Sequence, residues 1–287
     1  MAFIDLLQTS SSFLIFFCTV IGLAVGSFLN VVIHRLPKML EAEWGQQRAE
    51  PENEAVAALP PPNLVAPRSC CPHCGHTLAA WENIPVASYI MLRGKCSHCR
   101  VAISPRYPAI ELLTGMLSAL VAWHFGYGIA GFAGLVFTWA MVALVFIDID
   151  VQLLPDRITL PLLWTGLLVN LSDVFTDIHS AVIGAVAGYL LLWTIYWCYK
   201  LISGKEGLGR GDFKLLAAIG AWLGWEMLPL VILLSSLTGA MAGTVLVLLG
   251  KQERNSPIPF GPYLAGGSFV AFFWGDLINR AYFGMLG

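Results

Sequence analysis

Long uninterrupted runs of apolar residues are the feature that most constrains this chain. Several runs approach the ~20 residues that an α-helix needs to cross the hydrocarbon core of a bilayer. Hydrophobic residues make up 57% of the 287 positions and charged residues only 12%. A water-soluble globule cannot cover its surface with so few polar side chains. The sequence therefore predicts an all-α polytopic protein embedded in a lipid bilayer.

The apolar runs predict about eight transmembrane helices. The stretch 213–250 is too long for one helix and contains Pro229, so we divide it into two, of which the first is short. No Lys or Arg precedes Arg35, so the first run lacks the basic flank of a cleaved signal peptide and is expected to stay as a span. The other predicted spans lie near residues 13–33, 109–126, 129–147, 158–172, 180–199 and 262–279.

The longest hydrophilic stretch divides the chain into three parts. The first transmembrane helix occupies 1–33, a polar segment covers 34–108, and a membrane-embedded domain covers 109–287. Within the polar segment, residues 41–62 are rich in Glu, Ala and Pro, a composition that favours a solvated linker. The second half of this segment carries five of the seven cysteines.

The positions of the basic residues predict an orientation. With eight spans, every Lys and Arg except Arg280 falls on the same side as the segment 34–108. The positive-inside rule then makes this segment cytosolic and places the N-terminus outside. The net charge of −2 gives no support for nucleic-acid binding.

Two Cys-x-x-Cys motifs predict a zinc site in the polar segment. They are Cys71 to Cys74 and Cys96 to Cys99, a spacing at which four thiolates can surround one zinc ion tetrahedrally. Four thiolates leave no open coordination position, so the metal is expected to be structural. A histidine replacing one thiolate and four unrelated reduced thiols remain as alternatives, and Cys70 is expected to stand outside the cluster. The histidines that qualify are His73, His76 and His98.

Two groups of aspartates lie where predicted spans reach the cytosol, and ionisable residues at such positions are usually functional. The first group contains Asp148 and Asp150, which lie about 200° apart around a helix and cannot both face one site. The second contains Asp212 in the sequence Gly209-Arg210-Gly211-Asp212. A helix N-cap is the structural alternative for Asp212.

A pair of carboxylates from the two groups predicts acid–base chemistry. One can act as a base toward water while the other protonates a scissile carbonyl, because like charges push the two pKa values apart. This is the arrangement of an aspartic protease. No Gly-x-Ser-x-Gly or His-Glu-x-x-His motif occurs.

These motifs together resemble the type IV prepilin peptidases, which belong to the GxGD membrane aspartic proteases. The resemblance runs through the chain in order and rests on five motifs. They are Gly26 to Pro37, the two Cys-x-x-Cys pairs, Asp148 to Asp156, Gly209 to Asp212, and Pro259-Phe260-Gly261-Pro262.

The resemblance implies a bifunctional enzyme of the bacterial inner membrane, with a periplasmic N-terminus. It would cleave the leader peptide of type IV prepilins and type II secretion pseudopilins on the cytosolic side. It would then methylate the new N-terminal residue with S-adenosylmethionine. The catalytic aspartates carry over to Asp148 and Asp212, with Asp150 as the second choice for the first. The zinc thiolates carry over to Cys71, Cys74, Cys96 and Cys99.

The residues of a methyltransferase site are harder to identify, since no Rossmann fingerprint for the methyl donor is present. Glu82 is the one candidate that we name, and a solvated loop acid is its structural alternative. A proton-coupled transporter, a zinc-binding adaptor and an enzyme that only cleaves remain as alternative functions.

Overall fold

The computed structural model describes residues 2–48, 63–64, 68–204, 207, 209–250 and 258–286. The described residues are predominantly helical, and they include no β-strand beyond two isolated bridges in the cysteine segment. The all-helical prediction is therefore confirmed. The chain forms two compact units, Met1–Ala143 and Leu144–Gly287. The division at residues 33 and 108 stays a prediction.

The first unit is built on two long helices. Helix α1 covers Ala2–Thr9, α2 Ser11–Arg48, α3 Ala87–Met91 and α4 Arg106–Phe125. Helix α5, Ile129–Val151, begins in this unit. Helices α2 and α4 approach closely through small residues, as helices in bilayers do.

The contact between α2 and α4 depends on glycine. A Cβ atom added to Gly26 would lie 2.8 Å from the Cα atom of Glu111, and one added to Gly115 would lie 2.9 Å from Leu23. Neither position has room for a side chain, so these glycines set the spacing of the two helices.

The second unit contains the last turns of α5 and five further helices. They are α6 (Asp156–Asn170), α7 (Ile178–Ser203), α8 (Arg210–Leu223), α9 (Leu228–Leu248) and α10 (Gly261–Leu286). Helix α8 packs against α7, and the backbones of Gly184 and Gly220 touch at the crossing. Every residue from Phe213 to Leu223 except Lys214 is buried, so α8 is the centre of this unit.

Five helices of the described chain are long and apolar enough to cross a membrane. They are Ser11–Gln46, Arg106–Phe125, Ile129–Val151, Ile178–Ser203 and Trp225–Leu248. Helices α6 and α8 have only 15 and 14 residues. Each of the eight predicted spans corresponds to a helix, but the count of eight membrane crossings stays a prediction.

The first long helix extends beyond the span predicted for it. Helix α2 continues past residue 33 to Arg48 and contains Pro37. Residues 41–48 of the predicted solvated linker are therefore helical, and 49–62 lie outside the described residues. The break predicted within 213–250 is present, because α8 ends at Gly224, with φ of 81°, and Pro229 lies in the first turn of α9.

Candidate active site and metal centre

Asp148 lies near the end of α5 and is almost completely buried, with 5% of its surface exposed. A carboxylate at the C-terminal end of a helix faces the negative end of the helix dipole. The structure offsets this with a donor from another element, since the backbone N–H of Gly261 donates a hydrogen bond of 3.0 Å to Oδ2 of Asp148. Gly261 is the first residue of α10, so the bond joins two distant segments of the second unit.

Asp212 lies in the first turn of α8 and is also 5% exposed. The helix N-cap is Gly209, so the alternative in which Asp212 is the N-cap is wrong. Burial and the nearby charge of Asp148 raise the pKa of Asp212 to about 7, and a hydrogen bond from the Gly209 backbone opposes this shift. Helix α8 is not among the five candidate spans.

The side chain of Leu154 lies beside two glycines, one next to Asp212 in α8 and the other bonded to Asp148 at the start of α10. A Cβ atom added to Gly211 would lie 2.8 Å from the Cβ of Leu154, and one added to Gly261 would lie 3.3 Å from its Cδ2. The backbone next to Asp212 and the backbone that holds Asp148 therefore contact the same side chain. The structure thus brings together two carboxylates that are 64 positions apart in the sequence.

The other acidic residues of this region are placed differently. Asp150 is exposed at the end of α5. Asp156 is the first residue of α6, after the N-cap Pro155. Both oxygens of Asp156 accept hydrogen bonds of 2.7 Å from Nζ of Lys214. This exposed ion pair links α6 to α8 two residues beyond Asp212.

We expect the substitution Gly261→Ala to lower strongly any reaction that depends on Asp148. The added Cβ would lie 2.7 Å from Oδ2 of Asp148, a distance that Cβ contacts do not tolerate. The carboxylate or the start of α10 must shift, and misplacement of a catalytic group by about 1 Å can cost ~10²-fold in rate. The measurement is the rate of that reaction, which the resemblance implies to be leader cleavage, with the purified protein. Gly266→Ala, where nothing lies within 4 Å, is the matched control on the same helix.

The four cysteines of the two Cys-x-x-Cys motifs converge. Their sulfur atoms all lie within 4.8 Å of one another, and Sγ of Cys71 and Sγ of Cys99 are 3.8 Å apart. Zinc–sulfur bonds of ~2.3 Å in a tetrahedron place sulfur atoms about 3.8 Å apart, so the cluster fits such an ion. The structure therefore confirms that these four residues form a cluster that could hold a metal ion.

Each cysteine motif forms the same turn. The N–H of Gly75 donates to the carbonyl of Cys71, and the N–H of Arg100 donates to the carbonyl of Cys96. Gly75 and Arg100 both have positive φ, of 70° and 61°. Backbone N–H groups within the turns lower the pKa of Cys71, to about 7, and that of Cys96, whereas burial and the neighbouring thiols raise the pKa of Cys74 to about 12.

Glu82 does not occupy a solvated loop, so that alternative for it is wrong. The residue lies in the short 3₁₀ turn Ala80–Asn83 and is 7% exposed. Its Oε2 accepts a hydrogen bond of 2.7 Å from the N–H of Ala79 and lies 3.4 Å from Nε2 of His76. A hydrogen bond from Ser97, together with that from Ala79, lowers the pKa of Glu82. Its contacts tie this turn to the metal-binding motifs.

Sequence reasoning missed two residues of these sites. Gly261 was recognised only as part of a motif, and no local signal shows that its N–H reaches Asp148. Glu111 was not singled out, although it is a lone acidic residue within an apolar run, which is a signal of function in a membrane protein. Glu111 is 9% exposed in α4.

Comparison with known proteins finds two family models along the chain. Residues 20–125 match the bacterial peptidase A24 N-terminal domain, and residues 135–244 match the type IV leader peptidase family. Proteins named prepilin leader peptidase/N-methyltransferase are similar over most of their length. The one from Aeromonas hydrophila is 57% identical, covering 91% of both chains. That from Pseudomonas aeruginosa is 54% identical, covering 92% of both. No solved structure matches.

Proposed function

Because the chain belongs to the type IV leader peptidase family, we propose that Asp148 and Asp212 are the catalytic pair with which it cleaves prepilin leader peptides. The single observation that carries this proposal is the burial of both carboxylates in one unit, with the charge of Asp148 acting on Asp212. Asp150, which is exposed, is the weaker candidate for the first aspartate.

The chain is an enzyme with prepilin peptidase and N-methyltransferase activities, as its relatives are. Its substrates are prepilins, and we propose type II secretion pseudopilins as a second group. We also propose that the enzyme lies in the bacterial inner membrane with a periplasmic N-terminus, and that both activities face the cytosol. The distribution of basic residues supports this orientation.

We assign the two aspartates different roles because burial and the charge of Asp148 raise the pKa of Asp212 to about 7. The N–H of Gly261 favours the ionised form of Asp148, which then removes a proton from the attacking water. Asp212 holds a proton near neutral pH and donates it to the carbonyl oxygen of the residue before the scissile bond. The carboxyl of one residue stabilises the charge that the other develops, as in other paired aspartates.

An apolar cavity of about 350 Å³ lies in the second unit, and Phe260, which precedes Gly261 in the chain, is one of its lining residues. It is lined by residues of α7, α9 and α10 and by the segment 258–260 that precedes α10. Leu192, Ile232 and Tyr263 are among the lining residues. We propose that the apolar helix of the prepilin lies against this cavity, with its leader at the cytosolic rim.

We propose zinc as the metal of this enzyme and S-adenosylmethionine as its methyl donor. Cys71, Cys74, Cys96 and Cys99 would hold one structural zinc ion, which stabilises the segment between α2 and α4. S-adenosylmethionine would supply the methyl group. Glu82, next to the metal-binding motifs, is the acid that the sequence suggests for the methyltransferase site. Its carboxylate is already engaged by Ala79 and His76, which supports a structural role for it.

Leader cleavage is expected to fall as the pH rises above 7. The pKa of Asp212 is about 7, so the proton that it must donate is present below this pH and lost above it. The rate should then fall up to tenfold per pH unit at high pH. The measurement is kcat/KM for cleavage between pH 6 and 9, with thermal unfolding at each pH as the control. A rate that keeps rising through pH 8 would contradict the assignment of Asp212 as the acid.

One experiment tests both activities. Purified enzyme is incubated with a prepilin, with and without S-adenosylmethionine, and the product is weighed by mass spectrometry. The expected result is loss of the leader in both samples and one added methyl group only with the donor. Intact prepilin in both samples would refute the proposed function.

A further inference from the structure

A second cavity, of about 650 Å³, lies entirely within the first unit. Helix α2 contributes His34, Arg35 and Lys38 to its lining, α3 contributes Tyr89, and α4 contributes Glu111. The volume is in the range of sites for small molecules and cofactors. No step of leader cleavage uses this cavity.

Glu111 is the buried acid of this cavity. It is 9% exposed and lies near the start of α4, a candidate span. Its Oε2 accepts a hydrogen bond of 2.7 Å from the N–H of Val86, and Ser27 of α2 donates a second bond to the carboxylate. An ionisable residue held in a transmembrane helix is costly and is retained mainly where function requires it.

The backbone conformation of Val86 is a second observation that indicates a functional role for Glu111. Its φ is 59° with ψ of −46°, a positive-φ conformation that is strained for a β-branched residue. The structure maintains the strain at the residue whose N–H binds Glu111. Strained residues that the surrounding structure enforces cluster at ligand-binding sites.

The cavity carries both signs of charge. Glu111 and Glu82 are its buried acids, whereas Arg35 and Lys38 are basic side chains on α2. Arg35 donates to the carbonyl of Asn63 at 3.0 Å, and Nζ of Lys38 lies 2.9 Å from Nε2 of His34. Both basic side chains are therefore held in place by hydrogen-bonding contacts. A ligand that suits this lining is a zwitterion with an additional positive charge.

We propose that this cavity binds S-adenosylmethionine, with Glu111 facing its sulfonium and Arg35 and Lys38 binding its carboxylate. The inference rests on the proposed methyltransferase function and assigns that function a site. When the donor is bound, the substrate amine nitrogen bonds to the methyl carbon while the sulfur–carbon bond breaks and leaves its electron pair on sulfur. Glu111 would hold the donor and stabilise its charge before transfer.

Equilibrium binding tests this assignment without depending on activity. The full chain, purified in detergent, is titrated in a calorimeter with S-adenosylmethionine and with S-adenosylhomocysteine, which lacks the sulfonium charge. Glu111→Gln keeps an oxygen for the N–H of Val86 but removes the charge. We expect it to weaken S-adenosylmethionine binding about tenfold or more and to affect S-adenosylhomocysteine much less. Glu41→Gln, on the exposed side of α2, is the matched control and should bind both ligands as the unmodified enzyme does.

Unchanged binding by Glu111→Gln, or an equal loss for both ligands, would overturn the assignment while leaving the proposed methyltransferase function intact. Failure of the unmodified enzyme to bind the donor and to methylate prepilin would instead overturn that function. Ultraviolet crosslinking of radiolabelled S-adenosylmethionine to the unmodified enzyme covers the case in which Glu111→Gln does not fold. We expect label in peptides from α2 or from residues 68–111. Label confined to residues beyond Leu144 would overturn the site.

Discussion

Replacing Asp212 with Asn is expected to lower leader cleavage by about 10³-fold, and Asp148→Asn should have an effect of the same size. General acid–base groups contribute ~10²–10⁴-fold to enzymatic rates. An amide can neither hold the proton that Asp212 donates nor accept the proton that Asp148 removes from water. Because the two carboxyls act as one unit, the double variant should be little worse than either single variant.

The loss of activity should not come from unfolding. Asp148 and Asp212 are buried and near enough to raise the pKa of Asp212, so removing one charge relieves repulsion. We therefore expect the Asn variants to have a Tm at or above that of the unmodified enzyme, together with unchanged metal content. The rates are measured on purified enzyme with a prepilin substrate.

Asp150→Asn is the matched control because Asp150 is two positions from Asp148 but exposed. It should cleave at close to the normal rate. Full cleavage by Asp212→Ala would refute the proposed pair. Loss of cleavage in Asp150→Asn, with retention in Asp148→Asn, would transfer the first catalytic role to Asp150.

The double replacement Cys71→Ser and Cys96→Ser is expected to abolish metal binding, because it removes one thiolate from each motif. Structural zinc contributes about 10–16 kcal/mol to folding in zinc-finger peptides at pH 7. The described part of the cysteine segment has little regular secondary structure, namely the 3₁₀ turn Ala80–Asn83, the short helix α3 and two isolated β-bridges. Without the metal, this segment should lose its fold.

The consequences should differ between the two activities. Asp148, Asp212 and Gly261 all lie in the second unit, whereas the cysteines lie in the first. We therefore expect methylation to be lost and cleavage to be reduced much less. Bound zinc is measured by elemental analysis, and both reactions are followed by product mass.

Cys70→Ser is the control for the cysteine experiment, since Cys70 adjoins the first motif but is exposed and outside the cluster. It should retain bound metal and both activities. Normal metal content in the double variant would exclude the proposed ligand set. Loss of cleavage equal to the loss of methylation would show that the metal supports the whole enzyme.

Much of the site could be predicted from the sequence because the chemistry is concentrated in short motifs. Four cysteines in two Cys-x-x-Cys pairs allow few arrangements, and the structure brings their sulfur atoms together. Asp148 was separated from Asp150 by helical periodicity, and they differ in burial as two residues on opposite faces should. By contrast, the length of α2 was underestimated, because residues 34–48 are polar and their helix shows no apolar run.

The sequence by itself determined the class of protein, since apolar runs that would cross a bilayer can satisfy their backbone hydrogen bonds only as helices or closed barrels. It also indicated the acids and thiols that we propose for the chemistry. Only the tertiary structure decided that the N–H of Gly261 holds Asp148, that Leu154 lies against both Gly211 and Gly261, and that Glu111 lines a cavity. These are contacts between segments far apart in the chain, and their geometry depends on how the helices pack, which no local pattern of residues specifies.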